Sequence, residues 1–191
     1  MTYQQIKSLM ESKGFKFFDT GRFNLNILYV RTSDKFTDKY TDILYIAYRD
    51  GNLREQVFTA PCSTKAGSYY VRNPITHLGI KGTAVMVDGY QYTYQFINNN
   101  SWLNTPYLKQ IEPIKVWRDG EVDNDIDEKN IQTGIFGVNC HTAGAVQGII
   151  YNWSAGCLVT PKEYWLQVIG LLQKSMSLYG DKFSVALIRN Y

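Results

Sequence analysis

The sequence has few cysteines and histidines, no long apolar run and no cluster of basic residues. No stretch approaches the ~18 consecutive apolar residues of a membrane-spanning helix, so we expect no membrane segment. The opening MTYQQIKSLMESKGF lacks the apolar region of a secretory signal, so we expect synthesis in the cytoplasm without export by that route. The 20 basic and 17 acidic residues form no basic stripe and give no indication of nucleic-acid binding.

The three cysteines, Cys62, Cys140 and Cys157, are too few for a disulfide scaffold, and their odd number leaves at least one free thiol. The chain of 191 residues is 45% apolar, which is enough to bury one substantial core. The 15% of aromatic residues suits strands, whose pleated surface accommodates aromatic side chains. We therefore expect one β-rich domain.

Two helices are predicted among the strands. Near the start, Tyr3, Ile6 and Met10 recur at helical spacing. A second amphipathic run extends from residue 162 to residue 179 and is closed by Gly180. The remaining β-rich segments are FNLNILYV, DILYIAYR, REQVFTAP, GTAVMVDG, YTYQFI, IEPIKVW, GIFGVNCH, GIIYNW and KFSVALIR. The predicted fold class is α+β, with an N-terminal helix and one C-terminal helix before the last strand.

The segment NCHTAGAVQGIIYNWSAGC, residues 139–157, combines one of the two histidines with two of the three cysteines. A thiol becomes a nucleophile when a base removes its proton, and at neutral pH His77 or His141 could do so. His77 lies in the loop NPITHLG with no cysteine close in sequence, so we assign it a structural role. We predict that His141 is the base.

Cys157 is predicted to be the nucleophile. Neighbouring residues of a strand point to opposite faces, so Cys140 and His141 cannot present their side chains to one pocket, and Cys140 is assigned to the core. Ser154, Ala155 and Gly156 precede Cys157 and permit a tight turn. We expect the N–H groups of Gly156 and Cys157 to stabilise the oxyanion that forms when a thiolate attacks a carbonyl.

His141, twelve intervening residues and then Ser-Ala-Gly-Cys resemble the signature of the L,D-transpeptidase (YkuD-like) catalytic domain, in which a histidine precedes Ser/Thr-His-Gly-Cys. Upstream, STKAGSYYV, residues 63–71, is similar to a strand and turn of that family. The sequence departs from the pattern at Ala155, where the family has a second histidine, and at Val159, where it has arginine or asparagine. These departures are similar to those in divergent, phage-encoded branches.

The resemblance implies a YkuD-like sandwich or barrel for a single catalytic domain, residues 21–191. The apolar spacing near the start predicts a helix within residues 1–20 that packs on this domain. The resemblance also implies acyl transfer on peptidoglycan stem peptides through a thioester at Cys157, with Ser154 and Gly156 in the pocket and no required cofactor. We expect hydrolysis, as in lysis enzymes that reach the cell wall after release or delivery. The alternatives are cross-linking by a true L,D-transpeptidase and a non-catalytic phage structural or wall-binding module.

The sequence contains two groups of potential metal ligands, one for zinc and one for calcium. A zinc site made of Cys140, His141 and Cys157 is disfavoured, because adjacent strand residues do not easily bind one ion. The segment RDGEVDNDIDE has acidic residues at alternate positions, a spacing similar to that of calcium loops. The candidate calcium ligands are Asp119, Glu121, Asp123, Asp125 and Asp127. The alternative is a solvated acidic loop, since no glutamate occupies the twelfth position.

Overall fold

The computed structural model describes residues 1–33, 35–74, 82–98, 104–123, 125–143 and 149–189. The helices are α1 (Tyr3–Ser12), α2 (Ser68–Arg72) and α3 (Lys162–Tyr179). The strands are β1 (Asn26–Arg31), β2 (Asp42–Arg49), β3 (Glu55–Cys62), β4 (Thr83–Met86), β5 (Tyr90–Ile97), β6 (Tyr107–Gln110), β7 (Ile114–Asp119), β8 (Gln132–Gly134), β9 (Cys140–Thr142), β10 (Leu158–Thr160) and β11 (Lys182–Arg189). The α+β prediction is confirmed.

Eight strands form one large sheet in the order β10-β9-β6-β5-β11-β1-β2-β3. The two outer strands approach each other, because Ser63, which directly follows β3, pairs with Val159 of β10. The backbone groups of these two residues exchange hydrogen bonds of 2.8 and 2.9 Å. The sheet is therefore nearly closed into a barrel, and β4, β7 and β8 form a separate sheet in the order β4-β7-β8.

Side chains of the large sheet alternate between two apolar clusters, as the period of a strand requires. In β1, Ile27 and Tyr29 belong to the main core, while Leu28 and Val30 belong to a second, outer cluster that is also buried. The main core is completed by α3 and by one face of the small sheet. The outer cluster is covered by α1, which explains why β1 is buried on both faces.

Both long helices have clear boundary signals. The Thr2 side chain caps α1 in a capping box with Gln5, two reciprocal hydrogen bonds that satisfy amides at the helix start. Pro161 precedes α3, and Gly180 follows it with φ 86°, a conformation that glycine adopts at little cost. No helix among the described ranges is both long and apolar enough to cross a membrane.

The structure corrects several local predictions. Apolar residues 149–153 form a turn rather than the strand predicted from GIIYNW, and GIFGVNCH is divided between the ends of β8 and β9. A hairpin joins β2 to β3, and Leu53 in its turn has a positive φ. Three short elements were not predicted: α2, β6 and β10.

Candidate active site

Cys157 and His141 lie on neighbouring segments of the large sheet. Strands β9 and β10 are parallel, with Val159 opposite His141 and Leu158 opposite Cys140. Side chains at paired positions leave the sheet on the same face, and this face alternates along each strand. Extended back by two residues, this alternation assigns Cys157, which directly precedes β10, to the face of His141.

The apolar contacts of this face support the assignment. Val159, Ala143 and Ile150 form a small buried cluster, and the half-buried Cys157 packs against it. The opposite face of the pair carries Cys140 and Leu158, which belong to the main core. We therefore infer that Cys157 shares the face of His141, while Cys140 lies on the opposite face.

His141 is held in one orientation by the backbone. Its Nδ1 lies 2.7 Å from the carbonyl oxygen of Thr142. A carbonyl only accepts hydrogen bonds, so Nδ1 carries the proton and Nε2 carries the lone pair in the neutral ring. Burial lowers the pKa of His141 below its usual value, although the Thr142 carbonyl raises it. The imidazole is therefore neutral at pH 7 and its Nε2 is basic.

The thiol of Cys157 is protonated in the resting structure. The Asn139 N–H donates to Sγ at 3.4 Å, and Sγ donates to the Gly137 carbonyl at 3.5 Å. Burial raises the pKa of Cys157 to about 11, and the Asn139 amide partly offsets this effect. The Cys157 thiol and the His141 imidazole are therefore both neutral, and the two side chains do not form an ion pair.

Cys140 is a core residue, as predicted. Its side chain is fully buried in the main core, and burial raises the pKa of its thiol well above the usual value. Tyr29, which is also fully buried, forms a hydrogen bond with it. A thiol in this position is shielded from any substrate and from most reagents.

The turn before Cys157 is held by Ser154. The buried Ser154 hydroxyl donates to the Cys157 carbonyl at 2.8 Å and accepts from the Gly156 N–H at 3.1 Å. The Gly156 N–H is therefore engaged, which corrects the expectation that it is ready to receive an oxyanion. The Cys157 N–H has no acceptor among the described residues, so it keeps this predicted role.

Gly156 is required by its surroundings. Its φ of 124° is rarely adopted by other residues, and a Cβ at this position would lie 2.2 Å from the carbonyl oxygen of Ala84. Ala155, between Ser154 and Gly156, is half-buried. The small-Gly-Cys sequence thus provides a tight turn pressed against the small sheet.

The two segments that carry the family resemblance are adjacent in space. Ser63 pairs with Val159, and the Gly67 N–H donates to the Ser154 carbonyl at 2.9 Å. Behind this contact, the fully buried Lys65 approaches Asp42 at 3.3 Å. Residues 63–67 therefore form a wall that supports the turn before Cys157.

Asp38 is a site residue that the sequence analysis missed. Its carboxylate accepts hydrogen bonds from the Ser68 N–H at 2.7 Å, from the Ser68 hydroxyl at 2.5 Å and from the Tyr151 N–H at 2.9 Å. Its carbonyl accepts from the Ile150 N–H at 2.9 Å. These partners lie 30 or more residues away, so no local pattern could have revealed the role.

The acidic loop is held by its own hydrogen bonds and by an ion pair with Lys35. Its carboxylates accept from amides of the loop itself, Asp119 from Asp127 and Asp123 from Asp125 at 2.9 Å each, and Asp125 pairs with Lys35 at 2.5 Å. Burial raises the pKa of Asp119. In the ranges that the structure describes, which exclude residue 124, no group of three His, Cys, Asp or Glu side chains could hold a metal ion. Calcium binding by Asp119, Glu121, Asp123, Asp125 and Asp127 stays a prediction.

His77 lies outside the described residues.

Comparison with known proteins adds no relative: the chain matches no protein-family model, no curated protein and no solved structure.

Proposed function

We propose that this chain is a cysteine-dependent acyl-transfer enzyme that acts on peptidoglycan stem peptides. The observation that carries the proposal is the arrangement of the site. Neutral His141, with its Nδ1 proton donated to the Thr142 carbonyl, is assigned to the same face of the β9–β10 pair as the half-buried Cys157. A positioned base and an adjacent thiol are the two groups that nucleophilic catalysis needs.

The proposed reaction moves one proton and one acyl group. Cys157 Sγ attacks the carbonyl carbon of the third stem-peptide residue while its proton passes to His141 Nε2, and the tetrahedral oxyanion is stabilised by the Cys157 N–H. The imidazolium then returns the proton to the leaving amine, which leaves a thioester. Water attacks the thioester in hydrolysis, His141 accepts the water proton, and the shortened peptide is released as Cys157 recovers its proton.

The substrate class is supported by the sequence resemblance to the L,D-transpeptidase family. The proposal places the enzyme on the cell wall, reached after release or delivery. Hydrolysis is preferred to cross-linking because Val159 and Ala155 replace polar family residues, and Val159 is fully buried opposite His141. Fewer polar groups are then present to bind an acceptor amine in place of water.

The decisive experiment incubates the purified chain with peptidoglycan and weighs the soluble fragments by mass spectrometry. We expect shortened stem peptides from the wild type and from Cys140→Ala, and none from Cys157→Ala. D-amino-acid exchange products on isolated stem tetrapeptides would instead establish the transpeptidase alternative. Intact stem peptides with every variant would exclude both reactions.

A second candidate is a non-catalytic wall-binding or phage structural module. It is favoured by the resting state of the thiol, which is bonded to the Gly137 carbonyl with a pKa raised to about 11, and by the engaged Gly156 N–H. Such a module would sediment with insoluble peptidoglycan without altering its stem peptides. A chain that neither sediments nor cleaves would exclude this candidate.

A further inference from the structure

An uncharged aromatic surface lies beside the candidate active site. It consists of Tyr69, Tyr151, Trp153 and Ile149, whose side chains are 40, 47, 38 and 46% exposed. The rings of Tyr69 and Tyr151 meet at 5.6 Å between centroids in an edge-to-face arrangement. A single exposed apolar residue needs no explanation, but four of them at positions 69 and 149–153, two with their rings in contact, indicate an interaction site.

The protein holds this surface in one conformation. Tyr151 has φ 40°, a left-handed backbone conformation that is unfavourable for a tyrosine. Three contacts maintain it: the Asp38 carboxylate accepts its N–H, the Tyr69 ring packs on its ring, and its carbonyl lies against Gly67, where an added Cβ would approach to 1.9 Å. Strain of this kind persists where the surroundings enforce it, and it is concentrated at functional sites.

The aromatic surface is directly connected to the nucleophile. Trp153 closes the turn, because its backbone N–H donates to the Ile150 carbonyl at 2.9 Å. The next residue is Ser154, whose hydroxyl donates to the Cys157 carbonyl. Ile150, beneath this turn, is buried with Val159 in the cluster that contacts Cys157. The aromatic surface is therefore joined through this turn to the residues that hold Cys157.

The chemistry of the surface favours a neutral ligand with flat apolar faces and polar edges. The nearby Asp38 carboxylate accepts hydrogen bonds from Ser68 and Tyr151. The four side chains of the surface themselves offer rings, hydroxyls and an indole N–H but no charge. Rigid aromatic side chains of this kind combine an apolar face with a polar tip. Pyranose rings match this pattern, because their C–H faces are apolar and their hydroxyls lie at the rim.

We propose that the aromatic surface binds sugar rings of the glycan strand to which the stem peptide is attached. The choice of polymer rests on the proposed function, but the binding step does not require Cys157 to react. The surface would hold the glycan while the attached peptide extends towards the thiol.

The test is a calorimetric titration of the full chain with chitotetraose, a neutral oligosaccharide of N-acetylglucosamine. We expect Tyr151→Ala and Trp153→Ala each to weaken binding by roughly tenfold or more, since each removes one stacking ring. Tyr151→Phe, which keeps the ring, should bind within about twofold of the wild type. Leu166→Ala removes a side chain that is 54% exposed on α3 and should leave binding unchanged.

Failure of this inference is distinguishable from failure of the proposed function. Cys157→Ala should keep full chitotetraose affinity while losing turnover, so binding without turnover in the wild type would retain the inference and reject the enzyme. No binding of chitotetraose by the wild type would overturn the inference even if stem peptides are cleaved. Loss of free stem-peptide binding, or of self-association, in Tyr151→Ala with unchanged sugar affinity would also overturn it.

Discussion

The two parts of the large sheet are stabilised in different ways. Strands β1, β2 and β11 have six, eight and eight residues, and the main core and the outer cluster under α1 cover their two faces. Strands β9 and β10 have three residues each, and the segments next to them are held by side-chain hydrogen bonds from Ser154 and Asp38. Long buried strands stabilise the first part, whereas in the second part short buried strands are supplemented by hydrogen bonds to the turns beside them.

We infer that the first part chiefly determines the stability of the chain, whereas the second part chiefly positions the candidate catalytic groups. Removing apolar area from the first part lowers the free energy of unfolding in proportion to the area and the cavity left behind. Removing a hydrogen bond near β10 shifts a turn that carries a catalytic group, and small displacements of such groups have large effects on rate. Substitutions near β10 should therefore alter turnover more than stability, and the following predictions test this contrast.

The largest effect is expected for Cys157→Ala. Loss of the nucleophile should reduce stem-peptide turnover by roughly 10⁴-fold, because no thioester can form. The free energy of unfolding should change by less than about 1 kcal/mol, since Cys157 is half-buried and its sulfur makes weak hydrogen bonds. Turnover by mass spectrometry and chemical denaturation measure the two quantities. A large loss of stability with retained turnover would reverse the contrast.

His141→Ala should reduce turnover by roughly 10³-fold through loss of the base.

In the wild type, kcat/KM should fall as the pH drops through the pKa of His141. Because burial lowers that pKa, the fall should occur below about pH 6.5. Without substrate, alkylation of Cys157 should increase with pH towards its pKa of about 11. An alkylation rate that is already maximal at neutral pH would indicate a preformed thiolate and contradict the neutral pair.

Gly156→Ala should destabilise the chain by about 3 kcal/mol, because the substitution combines an unfavourable φ with a clash against the Ala84 carbonyl. Gly14→Ala is the matched control. Gly14 also has a positive φ of 73°, but an added Cβ would meet nothing within 4 Å, so about 1 kcal/mol is expected. Equal losses in the two variants, measured by chemical denaturation, would show that the contact with Ala84 is unimportant.

The same contrast explains which parts of the structure the sequence could predict. The segments DILYIAYR and KFSVALIR coincide with β2 and β11, and the helical pattern coincides with α3, because long periodic runs are bounded by clear turn signals. The apolar residues 149–153 were wrongly predicted to be a strand, because the Asp38 carboxylate that holds them as a turn is remote in sequence. Tertiary contacts decide such segments.

The site was only partly predictable for the same reason. Strand alternation correctly separated Cys140 from His141, since that rule is local. The register that places Cys157 on the His141 face depends on the parallel pairing of β9 with β10, and spacing alone does not determine that pairing. The engagement of the Gly156 N–H by Ser154 also depends on a side-chain orientation that the sequence leaves open.

The smallest predicted effect concerns the cysteine on the core side. Cys140→Ala should lower the free energy of unfolding by about 1 kcal/mol, because it removes one buried sulfur and its contact with Tyr29, and it should leave turnover within about twofold of the wild type. Cys62→Ala, which removes a second fully buried sulfur from the same core, provides the scale for packing loss. If Cys140→Ala abolished turnover while Cys62→Ala did not, Cys140 would be the reactive sulfur. The division between a core face and a catalytic face of the β9–β10 pair would then be wrong.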